Sequence, residues 1–149
     1  MIRLKIVIEE LQPGEEEQII IKCKNPTSDF LHIIKMLKYR DNVLTTYSNN
    51  EVHMLDFSEI FYIESVDSKT FVYCEKLVHE SKYKLYELEE ILAASSFLRV
   101  SKSVIINLKK IKILLPALSG RLEAVLRNGE KIPISRQYVS NLKKTLDLL

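Results

Sequence analysis

The sequence predicts a mostly β fold with three short helices, on the strength of three observations. Short apolar runs rich in Val, Ile, Phe and Tyr recur between residues 43 and 134, separated by small polar clusters. Three other segments carry apolar residues at helical spacing. The chain has 149 residues, of which 46% are hydrophobic, enough for one buried core or a core with a small appendage. The predicted fold class is therefore α+β with strands in the majority.

The first 41 residues predict a β-hairpin followed by a helix. Residues 2–9 alternate apolar with mostly charged side chains, which is the period of a half-buried strand. Pro13-Gly14 has turn chemistry, and residues 18–24 are the predicted returning strand. The helix is predicted from four apolar residues at helical spacing: Phe30, Ile33, Ile34 and Leu37. Residues 1–41 are thus a candidate N-terminal extension, and residues 42–149 a second domain.

The sequence of the second domain predicts a series of short strands with one helix among them and another helix at the end. The strands are predicted over residues 43–47, 52–57, 60–65, 70–74, 77–81, 98–100, 104–107, 111–115, 121–127 and 130–134. The first of the two helices carries apolar residues on one face at Leu85, Leu88, Ile91 and Leu92. Asn128-Gly129 predicts a hairpin with a type I′ turn. Ser135 is the predicted N-cap of the last helix.

The charge of the chain is unevenly distributed. Residues 98–149 hold 11 Lys and Arg against 3 Asp and Glu, a balance of +8. Residues 1–97 hold 11 against 17, a balance of −6, and the two balances sum to the net charge of +2. A strongly basic last third favours an anionic partner, and a nucleic-acid backbone is the first candidate.

The sequence carries no motif for catalysis, a cofactor or a metal. It has three glycines in all and no Gly-rich phosphate loop. His32, His53 and His79 have no metal-ligand spacing to one another or to a cysteine. We therefore predict no enzyme, no catalytic residue, no metal and no cofactor. No signal peptide is present and no stretch approaches the roughly 18–20 apolar residues of a membrane span, so we expect a cytoplasmic protein.

A polar cationic segment between two predicted strands is the first candidate binding site. It contains Arg99, Ser101, Lys102 and Ser103. Lys and Arg neutralise phosphates and release counterions, and hydroxyl groups bond phosphate oxygens. Charged segments are also commonly solvated faces, so composition alone leaves the two interpretations open.

Residues 43–146 resemble the LytTR family of bacterial DNA-binding domains. The family pattern F-x-R-x-x-x-S-x-x-x-N stands here as Phe97, Arg99, Ser103 and Asn107, and the pattern I-P-I-S-R-x-Y stands at residues 132–138. The stretches EIFYIESV, TFVYCE and YKLYELEEIL precede them in the family's order. The resemblance implies an elongated stack of small antiparallel β-sheets with short helices.

The resemblance also implies a bacterial transcription regulator that binds and bends duplex DNA at direct-repeat promoter sites through loops entering the major groove. Carried over by position, the DNA-binding residues are Lys69, Thr70, Arg99, Ser101, Lys102, Ser103, Arg136 and Gln137. Many family members have His-Arg or His-Asn where Ser101-Lys102 stands, so we expect a different base preference here. The resemblance places these residues on three loops: residues 68–70, residues 101–103, and the start of the last helix at residues 136 and 137. Arg99 and Asn107 could also hold the second of these loops in place.

The expected partners are double-stranded DNA, the transcription machinery, a small membrane-bound inhibitor protein and a second copy of the chain. Residues 1–41 are too few for a receiver domain, so we expect a stand-alone, receiver-less regulator. These residues could form a dimer face, dock the inhibitor or cap a sheet edge. The alternative function is a protein–protein interaction module, or an antagonist of another regulator, that has a LytTR-like fold without DNA binding.

Overall fold

The structure is a computed structural model that describes residues 5–25, 27–38 and 42–147. The chain divides into two compact units, Met1–Lys38 and Tyr39–Leu149. The first unit contains helix α1 (Ser28–Lys38), at the place where the sequence predicts it. Phe30, Ile33 and Ile34 are half-buried while Leu31 is 48% exposed, as expected for an amphipathic helix.

The hairpin predicted for this unit does not form in the described residues. Residues 5–9 and 18–23 carry no regular secondary structure, and residues 2–4 of the first predicted strand lie outside the described part. The turn itself is present, since the Glu15 N–H donates to the Gln12 carbonyl at 3.0 Å and Gly14 has a φ of +89°. The prediction of a turn is right, and the prediction of two paired strands is wrong.

Two physical reasons account for the missing hairpin. Proline followed by a glycine at positive φ is the geometry of a type II turn, whose twist splays the flanking strands. Continuing the register across this turn would also place Lys5 opposite Lys22 and Glu10 opposite Glu17. Like charges directly opposite each other destabilise a strand pair, and a lone two-stranded hairpin is marginal in water even without them.

The described residues of the second unit form ten strands and two helices, which with α1 confirms the mostly β prediction with three short helices. The strands are β1 (Val43–Ser48), β2 (Glu51–Asp56), β3 (Ile60–Val66), β4 (Lys69–Cys74), β5 (Val78–Ser81), β6 (Phe97–Arg99), β7 (Val104–Asn107), β8 (Ile111–Pro116), β9 (Leu122–Leu126) and β10 (Lys131–Ile134). The helices are α2 (Leu85–Ile91) and α3 (Arg136–Thr145).

The strands form two antiparallel sheets. The larger has seven strands in the order β2-β1-β5-β4-β3-β7-β6, and the smaller has three in the order β10-β9-β8. Strand β3 pairs with β4 on one side and with β7 on the other, so it lies inside the larger sheet. Strand β7 is buried along its whole length. The apolar run in each of these strands is the pattern of a strand covered on both faces.

Two apolar cores lie on the two faces of the larger sheet. The first core packs α2 against one face, with buried residues Leu44, Leu55, Ile60, Ile63, Val72, Leu85, Leu88, Leu92, Phe97 and Ile105. The second packs the smaller sheet and α3 against the other face, with buried residues Phe61, Tyr62, Val100, Val104, Ile106, Ala124, Leu126, Ile132, Ile134 and Leu142. The layers of the second unit are therefore helix, large sheet, and small sheet with helix.

Three tight turns connect neighbouring strands. Asn49 and Asn50 link β1 to β2, and Asp67 and Ser68 link β3 to β4; all four residues have φ between 49° and 64°, as type I′ turns require. The type I′ turn predicted at Asn128-Gly129 is wrong in its geometry. Only Gly129 has a positive φ there, and the Leu126 carbonyl accepts the Gly129 N–H at 3.0 Å, which makes a three-residue loop ending in glycine.

Candidate nucleic-acid interface

The first predicted loop, residues 68–70, begins in the tight turn between β3 and β4, which is formed by Asp67 and Ser68. Their φ angles of 49° and 64° are unusual for residues with side chains. The Lys84 ammonium group donates to the Ser68 carbonyl at 3.2 Å and fastens the turn to the segment before α2. The loop is therefore held by a side chain that is distant in sequence.

The two residues predicted to bind DNA here differ in accessibility. Lys69 is exposed at the start of β4, so its side chain is available to a ligand. Thr70 is 3% exposed, so little of its side chain is open to a ligand in the free protein. Side chains alternate between the faces of a strand, so two consecutive residues cannot both point to the same surface.

A groove of about 680 Å³ adjoins this loop and holds cations that the motif comparison missed. Lys69, Lys82 and Lys84 line it together with Asn49 and Asn50. The Lys82 ammonium group lies 4.4 Å from the centre of the Tyr47 ring, within cation–π distance. The sequence signal was the pair of lysines directly after β5, whose carboxyl end the sheet register places beside the start of β4.

The second predicted loop, Ser101–Ser103, connects β6 to β7. The Val100 N–H donates to the Val104 carbonyl at 3.0 Å and closes the loop. Inside it, the Ser103 N–H donates to the Ser101 hydroxyl at 3.2 Å. Lys102 is exposed at the tip and forms no salt bridge with the residues that the structure describes. Its ammonium group is thus free to meet an anion.

Arg99 holds the second loop in place through hydrogen bonds. Its Nε donates to the Ser101 carbonyl at 2.7 Å, and its guanidinium group also donates to the Lys102 carbonyl. Nη1 forms a 2.8 Å salt bridge with Glu89 of α2, and only 19% of the Arg99 side chain is exposed. The N–H donors of the Arg99 guanidinium group are therefore bonded within the protein. Arg99 positions the loop, which is one of the two roles expected from its place in the motif.

Asn107, the last residue of the first motif, is a structural residue at the other end of β7. It is 1% exposed, and its amide Nδ2 donates to the Ile60 carbonyl at 2.8 Å. Its Oδ1 accepts from the Ser96 hydroxyl at 2.8 Å and from the Lys109 N–H at 3.1 Å. These bonds fasten β7 to the start of β3 and to the next turn.

The third predicted loop is the start of α3. Ser135 has the extended backbone of an N-cap, as predicted, but its hydroxyl makes no capping hydrogen bond. Arg136 and Gln137 follow it and are both exposed. The first amides of a helix attract anions through their free N–H groups and the helix dipole.

Two backbone hydrogen bonds link the three loops to one another. The Ser65 N–H, next to the first loop, donates to the Ser103 carbonyl at 2.8 Å. The Ser135 N–H, at the start of the third loop, donates to the Val100 carbonyl at 2.9 Å. The second loop therefore lies between the other two, and the three predicted segments form one continuous surface.

A second groove, of about 990 Å³, lies between the second and third loops. Ser101, Ser103, Arg136 and Gln137 line it, as do two cations outside the motifs, Arg121 and Lys131. Its lining also includes two carboxylates, Glu64 and Glu130. Positive charge therefore predominates along this groove without being uniform.

A buried tyrosine lies against one of the groove's acidic groups. Tyr62 stacks on Tyr73 with ring centres 4.3 Å apart, and its hydroxyl is 3.5 Å from Glu130 Oε2. Burial, together with the negative charge of Glu130, raises the pKa of Tyr62 well above its usual range. The hydroxyl is therefore a neutral hydrogen-bond donor.

The described residues offer little for other chemistry. No three His, Cys, Asp or Glu side chains among them come together as metal ligands. No helix within the described ranges is long and apolar enough to cross a membrane. What the surface does offer is exposed cations, hydroxyl and amide groups on linked loops.

The chain is similar to known proteins over most of its length. Residues 50–147 match the family model of the LytTr DNA-binding domain. The chain is 24% identical over 142 residues to the sensory transduction protein LytT of Enterococcus faecalis, covering 93% of this chain and 59% of that protein. It is 27% identical over 144 residues to the protein of the same name from Bacillus anthracis, covering 91% and 58%. The chain thus spans a little over half the length of these relatives.

Two further similarities cover most of the matched protein. An "Uncharacterized HTH-type transcriptional regulator" of Staphylococcus aureus is 27% identical over 109 residues, which are 73% of this chain and 74% of that protein. A solved LytTr DNA-binding domain from Bacillus cereus is 34% identical with a TM-score of 0.67, covering 70% of this chain and 96% of that one. Since the family model spans 98 of the 149 residues, the chain belongs to the family of LytTr DNA-binding domains.

Proposed function

We propose that the three linked loops are the surface that contacts duplex DNA, and that the protein regulates transcription by binding there. The observation that carries this proposal is the pair of backbone hydrogen bonds that join the second loop to its neighbours, at 2.8 and 2.9 Å. Loops held at fixed positions can meet several sites along one duplex without ordering first, which reduces the entropic cost of binding.

Charge supports phosphate contacts along this surface. The exposed cations on the loops and in their grooves whose side chains hold no loop in place are Lys69, Lys82, Lys102, Arg121, Lys131 and Arg136. If about six of them contact phosphates, the logarithm of the binding constant falls with the logarithm of salt with a slope of roughly −5. Arg99 is not among them, since its guanidinium group is already bonded to the second loop.

Sequence preference is assigned to the loop tips. Lys102 stands at the tip of the second loop, and Gln137 lies in the first turn of α3. Lysine can bond the O6 and N7 atoms of guanine, and glutamine can bond adenine, through a major groove about 12 Å wide. We propose that these loops enter successive major grooves at a direct-repeat promoter site and that the DNA bends to meet them.

A gel shift tests the proposal. Purified protein is mixed with the DNA upstream of its own gene, at two salt concentrations and with scrambled competitor. The expected result is a discrete band that survives the competitor and weakens steeply with salt. Circularly permuted fragments of the bound site then test bending, because a bent complex migrates differently as the site moves along the fragment. A band equally displaced by scrambled DNA would contradict sequence-specific regulation.

The alternative function is a protein–protein module with the same fold. Glu64 and Glu130 in the second groove favour it, because carboxylates repel phosphates and attract basic peptides. No shift of any DNA, together with capture of a defined protein by the loop surface, would support this alternative. For the whole regulator, we also propose that residues 1–41 form a separate domain and that the protein works in the cytoplasm. Its further proposed partners are the transcription machinery and a small membrane-bound inhibitor.

A further inference from the structure

Residues 5–9, Lys-Ile-Val-Ile-Glu, leave apolar side chains and backbone groups open in the first unit. We propose that this segment pairs as an antiparallel β-strand with the same segment of a second copy of the chain. The pairing is centred on Val7 and is independent of the DNA-binding surface. It gives the expected homodimer a specific interface and register.

The apolar side chains of this segment are exposed to water. Ile6 is 86% exposed, Val7 60% and Ile8 94%. Burying one large aliphatic side chain stabilises by about 1.5–3 kcal/mol, so leaving three in water is unusual for a folded chain. No backbone hydrogen bond joins residues 5–9 to any other residue in the described part of the chain. An exposed row of donors and acceptors is a template for another strand.

The chain's own returning segment is a poor partner for it. The turn at Pro13-Gly14 is a type II turn, whose twist splays the flanking strands. The register that it sets places Lys5 opposite Lys22. Glu10 would likewise face Glu17. The intramolecular pairing that would satisfy residues 5–9 is therefore opposed by both geometry and charge.

A second copy removes the charge conflict. A two-fold axis through Val7 places Lys5 opposite the partner's Glu9 and Glu9 opposite the partner's Lys5. It also places Ile6 opposite the partner's Ile8, so that four isoleucines form one apolar face. An isologous contact of this kind needs only one self-complementary patch. Opposite charges and β-branched residues are both favourable cross-strand pairs.

Other registers of the same two segments are worse. Parallel in-register pairing sets Lys5 against the partner's Lys5 and Glu9 against the partner's Glu9. An antiparallel pairing shifted by one residue sets Lys5 against the partner's Ile8 and mixes the apolar face with the charged one. The sequence of residues 5–9 therefore specifies both the direction and the register of the dimer.

Charge reversal and its repair test the pairing. The full chain is studied by sedimentation velocity at several concentrations as the wild type, Lys5→Glu, Glu9→Lys and the double variant Lys5→Glu/Glu9→Lys. The wild type should dimerise in a concentration-dependent way. Each single variant opposes like charges at two symmetry-related places and should raise the dissociation constant about tenfold or more. The double variant exchanges the two charges and should return close to the wild type.

A matched control and a second readout complete the experiment. Lys24→Glu changes an exposed lysine of the same unit outside the paired segment and should leave the dissociation constant unchanged. A wild type that stays monomeric, or a double variant as weak as the single ones, would overturn the proposal. DNA binding by monomeric Lys5→Glu, measured by gel shift, reports separately on the proposed function, so failure of one proposal is distinguishable from failure of the other.

Discussion

Residues 5–24 and residues 60–74 both have the sequence pattern of a hairpin, and only the second pair of strands forms. In the second, Asp67 and Ser68 both adopt positive φ, which gives the turn the twist of the strands. In the first, only Gly14 does, next to a proline. The hand of the turn is thus one difference between the two regions.

Burial is the other difference. Ile63 in β3 is fully buried, and α2 and the small sheet cover the two faces of the larger sheet. Ile8, with the same side chain in the other region, is 94% exposed. Two neighbouring strand-like segments therefore form a hairpin when the turn has a suitable twist and a covering layer is present.

Truncating an isoleucine in each region should give the largest difference in stability. Ile63→Ala should lower the free energy of unfolding by about 2–5 kcal/mol, because it removes a buried side chain and leaves a cavity. Ile8→Ala should change it by less than about 0.5 kcal/mol. Urea unfolding at low protein concentration measures both. Equal losses would mean that residues 5–9 are packed within the monomer.

Lys102 in the second loop and Lys24 in the first unit are both exposed and should differ in their effect on DNA binding. Lys102→Ala should weaken operator binding by about 1–3 kcal/mol and relax the preference at one base pair if the side chain contacts a base. If it contacts a phosphate, affinity should fall equally on all DNA sequences, with a shallower salt dependence. Lys24→Ala is the control and should bind like the wild type. A Lys102→Ala protein with unchanged affinity would remove the second loop from the interface.

Changing the first turn should allow residues 5–9 to pair with residues 18–22. Pro13→Asn combined with Lys22→Glu supplies an Asn-Gly turn and places a carboxylate opposite Lys5, for a gain of about 1 kcal/mol in hairpin formation. Strand-type chemical shifts in residues 5–9 and 18–22 would report it by NMR. Pro13→Asn with Lys22→Arg keeps the repulsion and should gain less. If both variants gain equally, charge is not the obstacle.

His79 in β5 should make the stability of the protein depend on pH. His79 is 4% exposed; burial lowers its pKa from the ordinary value of 6.5, and the neighbouring His53 adds to the effect while Glu59 opposes it. The unfolded chain binds a proton near pH 6.5 that the folded chain accepts only at lower pH. Stability should therefore fall as the pH drops below about 6.5 and stay level above it as far as His79 is concerned.

Urea midpoints on both sides of pH 6.5 test this expectation. His79→Gln should flatten the acid limb of the curve, because glutamine does not titrate. His32→Gln, at an exposed position of α1, should leave the limb as it is. An unchanged slope in His79→Gln would assign the acid sensitivity to other groups.

The sequence predicted the strands of the second unit well because their apolar runs are buried on one or both faces. The residues 43–47 and 60–65, for example, were predicted as strands and are found within β1 and β3. It failed at residues 5–9, where the alternation was correct but no layer covers the segment in the part of the chain that the structure describes. It also misassigned the turn type at Asn128-Gly129, since the dipeptide fits two turn geometries and the flanking hydrogen bonds decide between them.

The candidate site was predicted as three segments, and the physical role of each residue came from the structure. Spacing places Arg99 beside the second loop but cannot show that its donors are bonded to that loop. Lys82 and Lys84 were missed because they follow β5, and only the pairing of β5 with β4 brings them near the first loop. Thr70 was included because position alone does not reveal which face of a strand a residue occupies.

The hydrogen bonds from Ser65 to Ser103 and from Ser135 to Val100 use only backbone atoms. The spacing of the three loops therefore does not depend on the side chains that would touch DNA. Substitutions at Lys102, Arg136 or Gln137 can change which bases are preferred while the distances between contacts stay the same. A protein built this way can acquire a new target sequence by single substitutions, without passing through a form whose binding surface is lost.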